Sequence, residues 1–115
     1  MQQEKKFYIG EGDDKVLLAF NINVVAEIQA VYKSVSAWVG LLEDDDENPQ
    51  RNGEPDMKAF LTGFTLMLNE GIAIENDEGA DKKPFTERQV GRMIGLWGKD
   101  VVNDAMRKAI TASSD

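Results

Sequence analysis

Two residue types that carry much of protein chemistry are missing: none of the 115 residues is cysteine and none is histidine. Without cysteine there is no disulfide, no thiolate metal ligand and no thiol nucleophile. Without histidine, the commonest general base near neutral pH and the commonest transition-metal ligand are gone. Ser/His/Asp, Cys/His and zinc-water mechanisms are therefore excluded within this chain, leaving carboxylate, Lys, Tyr or Ser/Lys chemistry. No segment approaches the run of ~20 apolar residues that crosses a bilayer, and MQQEKK at the start has no apolar run of the signal-peptide kind behind it. A cytoplasmic protein is the expectation. Positive charge is scarce too: 13 Lys and Arg stand against 21 Asp and Glu, a net charge of −8. That balance disfavours nucleic acid and anionic membranes as partners, since both are bound by displacing counterions with Lys and Arg.

What is present has the composition of one folded domain. Hydrophobic residues make up 42% and charged residues 30% of the chain, values that set it apart from disordered sequences. Its length suffices for a single core. The charge is unevenly placed: residues 1–81 hold 6 basic and 17 acidic side chains, net −11, whereas residues 82–115 hold 7 basic and 4 acidic, net +3. An acidic body thus carries a mildly basic C-terminal third.

The stretch from Glu54 to Glu75, EPDMKAFLTGFTLMLNEGIAIE, is the longest and most apolar segment. Met57, Phe60, Leu61, Phe64, Met67, Leu68, Gly71 and Ile74 recur at spacings of three and four, with Leu66 and Ile72 widening the stripe, which predicts a central helix over 55–75. Pro55 suits the first helical position and Asp56 the positive end of the helix dipole. Gly63 and Gly71 weaken a helix interior, so a close approach by a neighbouring helix is expected there. Before it, KFYIGEGDDKVLLAFN alternates around turn residues and predicts a β-hairpin over 6–21, with Val16, Leu18 and Phe20 on one face. The hairpin lies on the helices or adds to a sheet in another copy. Two short helices over 22–42 follow. Asn21 or Asn23 caps the first, with Ile22, Val25, Ile28 and Tyr32 inward, and Ser34 or Ser36 caps the second, with Trp38 in the core.

Residues 43–54 and 76–85 read as loops. The first, EDDDENPQRNGE, has the acids of a calcium loop, but counted from Asp44 the sharp-turn glycine position holds Pro49 and the closing glutamate position holds Pro55. A solvated acidic loop is preferred. Thr86 and Gln89 then form a capping box, with Phe85 placed to staple onto Val90. Val90, Met93, Ile94 and Trp97 face inward, and Arg88 and Arg92 share the opposite side. Gly98 ends this helix, a final amphipathic helix follows to complete a helical hairpin over 86–110, and 111–115 form a frayed tail. The fold expected is mainly α (α+β): an N-terminal β-hairpin packed on about five helices, in one domain over 1–115.

No catalytic, cofactor-binding or metal-binding residue emerges. Carboxylate pairs sit in loops of like charge where nothing raises one of them for acid catalysis, and Gly10-Glu11-Gly12 is flanked by acids that repel a nucleotide. Segment 86–110 has the outline of a helix-turn-helix, with Arg88, Arg92, Lys99, Arg107 and Lys108 near phosphate reach. Its second helix nevertheless offers Val101, Val102, Asn103 and Asp104 where base-reading side chains belong. An ordinary helical hairpin is preferred. Interaction is what remains, and Trp97, Val102, Met106 and Ile110 mark a candidate partner-binding strip along the last two helices.

Taken in order, KFYIGEGDDKVLLAFNINVVAEIQAVYKSVSAWVGLLEDDDE, the long EPDMKAFLTGFTLMLNEGIAIEN helix and KKPFTERQVGRMIG resemble the small tail assembly chaperones of long-tailed bacteriophages and prophages of Gram-positive hosts. The resemblance covers nearly the whole chain and rests on size, acidity and order of elements. It implies a nonenzymatic protein that coats the tape-measure protein, keeps it from aggregating, helps recruit tail-tube subunits and is absent from the finished virion. It implies no fixed set of contact residues. A homo-oligomer is left open, and a small DNA-binding regulator using 86–110 is the alternative.

Overall fold

The computed structural model describes residues 6–43 and 55–113. Their elements run β1 (Phe7–Ile9), β2 (Val16–Leu18), α1 (Ile22–Tyr32), α2 (Val35–Leu41), α3 (Met57–Asp77), α4 (Glu87–Trp97) and α5 (Lys99–Ser113). The fold is the expected one, mainly helical with an N-terminal antiparallel hairpin. The acidic loop lies, apart from Glu43, outside the described residues, as does the calcium-loop pattern counted from Asp44 up to Glu54.

α3 is the axis, touching β2, α1, α2 and α4. Phe60, Phe64, Met67 and Leu68 are almost wholly buried and meet Val24, Ile28, Trp38, Val90, Val102 and Met106 in one core. The helix begins later than the sequence indicates. Asp56 is its N-cap, accepting the Ala59 backbone N–H at 3.1 Å, so Pro55 lies outside the helix. A carboxylate that satisfies an orphan amide outranks the weaker preference of proline for the first turn. At its far end the helix runs on to Asp77, where the Glu78 N–H returns to Ile74 and Glu75 carbonyls and Gly79 takes φ 110°.

The two glycines of α3 are contact points of different kinds. A Cβ on Gly63 would lie 2.0 Å from the Trp38 ring, and one on Gly71 would lie 2.1 Å from the Leu17 carbonyl oxygen. The expected helix neighbour is therefore a tryptophan side chain at one glycine and a strand backbone at the other. Trp38 is fully buried, and its indole N–H donates to the Ala59 carbonyl at 3.0 Å. Leu17 and Leu18, successive in β2, are both buried, because one face of the strand meets the core and the other meets α3 at Gly71. The hairpin pairs Phe7 with Leu18, Tyr8 with Leu17 and Ile9 with Val16. Tyr8 stays exposed, with the Lys15 amine 4.6 Å from its ring centre. A Lys6–Glu78 ion pair at 2.8 Å ties the start of the hairpin to the end of α3.

Asn21 caps α1, accepting the Asn23 and Val24 amides, and donates its own amide to Glu70, as Asn23 does. Ile22, expected to face inward, is 76% exposed, and Val24 is buried in its place. With Asn21 pinned to α3, the inward face is fixed by Val24 and Ile28, four residues apart. Ser34 caps α2 through the Ala37 amide. α4 has both halves of its capping box, Gln89 N–H to Thr86 Oγ1 at 3.1 Å and Thr86 N–H to Gln89 Oε1 at 2.8 Å. Gly98, at φ 97°, is the only residue between α4 and α5, and α5 continues to Ser113 rather than fraying after Ile110.

Candidate functional site

The strip proposed along the last helices divides in two. Val102 and Met106 are fully buried in the core and offer no surface, which corrects the expectation for both. The reason is tertiary: β1 packs against α5 and α4 covers its other flank, so the apolar side of the last helix is enclosed by its own chain. Trp97 and Ile110 are partly exposed at the margin of that core. The Trp97 ring meets Phe64 edge-on, with centroids 6.3 Å apart.

An open apolar groove lies elsewhere, where the first turns of α3 face the last turns of α4. It is a hollow of about 410 Å³ lined by Met57, Phe60, Leu61, Gly91, Ile94, Gly95, Gly98 and Lys99. Met57, expected inward, is 47% exposed at its rim, where it lines both this hollow and its neighbour. A Cβ placed on Gly91 or Gly95 would meet nothing within 4 Å, so α4 presents bare backbone here. Leu96, one residue further along, is 86% exposed.

A second hollow of about 430 Å³ adjoins the first and shares Met57, Phe60 and Lys99 with it. Its remaining walls are mostly polar and mixed in sign: Glu43 accepts from Arg107 at 3.5 Å, and Asp100 and Asn103 come from the first turns of α5. The Asn103 Oδ1 atom is buried there without a hydrogen-bond partner among the described residues.

Basic side chains follow one flank of the apolar groove. Arg88 and Arg92 are exposed and share the side of Gly95 on α4 at spacings of four and three, Lys99 is exposed at the start of α5 and lines the groove, and none of the three makes an ion pair among the described residues. Lys58, next to Met57, is committed instead to Glu87, and that hydrogen bond raises its amine above the ordinary lysine value. Among the described residues no three carboxylates converge as metal ligands. No family model, curated protein or solved structure matches this chain. The arrangement combines apolar walls, exposed helix backbone and a flank of cations unpaired among the described residues, and suits apolar side chains and carboxylates.

The sequence had marked Arg88 and Arg92 as one side of α4 but had not singled out Gly91, Gly95 or the exposure of Met57. Two glycines four apart in an otherwise amphipathic helix were the available signal. No helix among the described residues is long and apolar enough to cross a membrane.

Proposed function

We propose that this chain is a tail assembly chaperone of a long-tailed phage or prophage: it binds the tape-measure protein in the host cytoplasm, keeps it soluble and helps recruit tail-tube subunits, without entering the virion. The observation that supports the reading best is the open apolar groove between α3 and α4, which suits an elongated helical partner. The order and character of the elements, which resemble that family, support it as well. Coexpression with the tape-measure protein tests it. A larger soluble fraction of that protein and a copurifying complex are expected; unchanged solubility with no complex rejects the proposal.

The unpaired Arg88, Arg92 and Lys99 favour one second reading, a DNA-binding regulator. Against it, α5 exposes Asp100 and Asp104 where phosphates would pass, and Asp104 is paired with Lys108 at 3.0 Å. Strong retardation of duplex DNA in a gel shift at low salt would place this reading first.

A further inference from the structure

We infer that the groove between α3 and α4 selects an amphipathic helix whose apolar ridge is bordered by Asp or Glu along one flank. The inference rests on the chaperone reading for the helical nature of the partner, and the acidic flank is read from this surface. Three observations converge. The walls from Met57, Phe60, Leu61 and Ile94 are apolar, so the ridge that enters must be apolar. Gly91 and Gly95 leave the α4 side without side chains, so the partner's backbone can come close. Arg88 and Arg92 stand on the Gly95 side of α4 and Lys99 lines the groove from the start of α5, with no carboxylate paired to any of them among the described residues, while residues 1–81 carry net charge −11. An acidic helix is thus repelled by most of the molecule and attracted along this flank, which fixes both where it docks and which way it faces.

An alternative occupant is a second copy of the chain, which has acidic helices of its own; duplex DNA is another. Phosphates have little use for the apolar walls. The partner helix accounts for the walls and the charges together.

The test uses the full chain and two synthetic helical peptides with one leucine-alanine ridge, flanked by Glu in the first and by Lys in the second. Calorimetry is expected to give the Glu peptide about tenfold tighter binding, the size of two or three exposed charge contacts. Arg88→Glu with Arg92→Glu should reverse the preference, and Gly95→Leu, which fills open space, should weaken both peptides with no loss of thermal stability. Gly91→Leu is the second filling variant. Equal binding of the two peptides, or indifference to the charge reversal or to both filling variants, overturns the inference. So does a dimer that the charge reversal converts to monomer, or duplex DNA that displaces the Glu peptide.

If the tape-measure protein copurifies undiminished with the charge-reversed and filled variants, the groove inference fails and the chaperone reading stands. If the peptides behave as stated and the tape-measure protein does not copurify, the reverse holds.

Discussion

Two helices of this protein each carry a pair of interior glycines, and the pairs differ in what surrounds them. In α3, Gly63 and Gly71 are closed in by the Trp38 ring and the Leu17 backbone. In α4, Gly91 and Gly95 face empty space. Glycine costs roughly 0.5–1 kcal/mol relative to alanine within a helix wherever it stands. In α3 that cost is offset inside the fold by close packing, whereas in α4 nothing within the described chain offsets it.

Removing the ring that closes Gly63 is the most severe way to break the contrast. Trp38→Ala deletes a fully buried side chain and its hydrogen bond to Ala59, and is expected to cost about 3–5 kcal/mol, read from the far-UV melting midpoint. An unchanged midpoint would mean that Trp38 does not hold the core.

Next in size are the alanines on α3. Gly71→Ala drives a methyl against rigid backbone, and about 1–3 kcal/mol of destabilisation is expected, measured by urea titration. Gly63→Ala meets a side chain and should lose stability in the same range. In a Trp38→Ala background the obstacle is gone, so Gly63→Ala should become neutral or stabilising. A double-mutant cycle exposes that change of sign, and simple additivity would show that the ring is not the obstacle.

Gly95→Ala tests the other side of the comparison: with open space around it, stability should rise by roughly 0.5–1 kcal/mol. A loss would mean that α4 is more tightly enclosed than described. The smallest effect concerns the exposed ion pairs Lys6–Glu78 and Lys58–Glu87. Hydrogen bonding to the carboxylates raises both amines above the ordinary lysine value. A raised lysine contributes fully below its unfolded pKa and loses the contribution as pH rises through the folded one. The Lys58→Met and wild-type melting curves should therefore converge in strong alkali and differ most from neutral pH up to the ordinary lysine range.

Features fixed by a few neighbouring residues were legible beforehand. Thr86 and Gln89 specify their capping box within four positions, the turn around Gly10 and Gly12 separates two short strands, and the three-four spacing from Phe60 to Leu68 makes α3. The start of α3 was misread for a local reason, the cap at Asp56, whereas the other misreadings depend on residues distant in the chain. Ile22 and Val24 both allow a helical stripe, and the bonds from Asn21 and Asn23 to Glu70 decide between them. Leu17 breaks the period-two pattern because a glycine more than fifty positions later admits the strand. Val102 and Met106 suited either a surface or a core until β1 was placed against α5. The groove follows the same rule, since its two walls lie in helices whose meeting no local pattern encodes.

The contact at Gly71 has a consequence for the solubility of the hairpin. Leu17 and Ala19 direct their backbone groups away from β1, and the Ala19 N–H donates to the Met67 carbonyl at 3.1 Å. Helix α3 thus occupies the place where a third strand would add. Recruitment of another polypeptide by edge-to-edge pairing is blocked along β2, a safeguard against amyloid-like growth that requires no charged or proline gatekeeper in that strand.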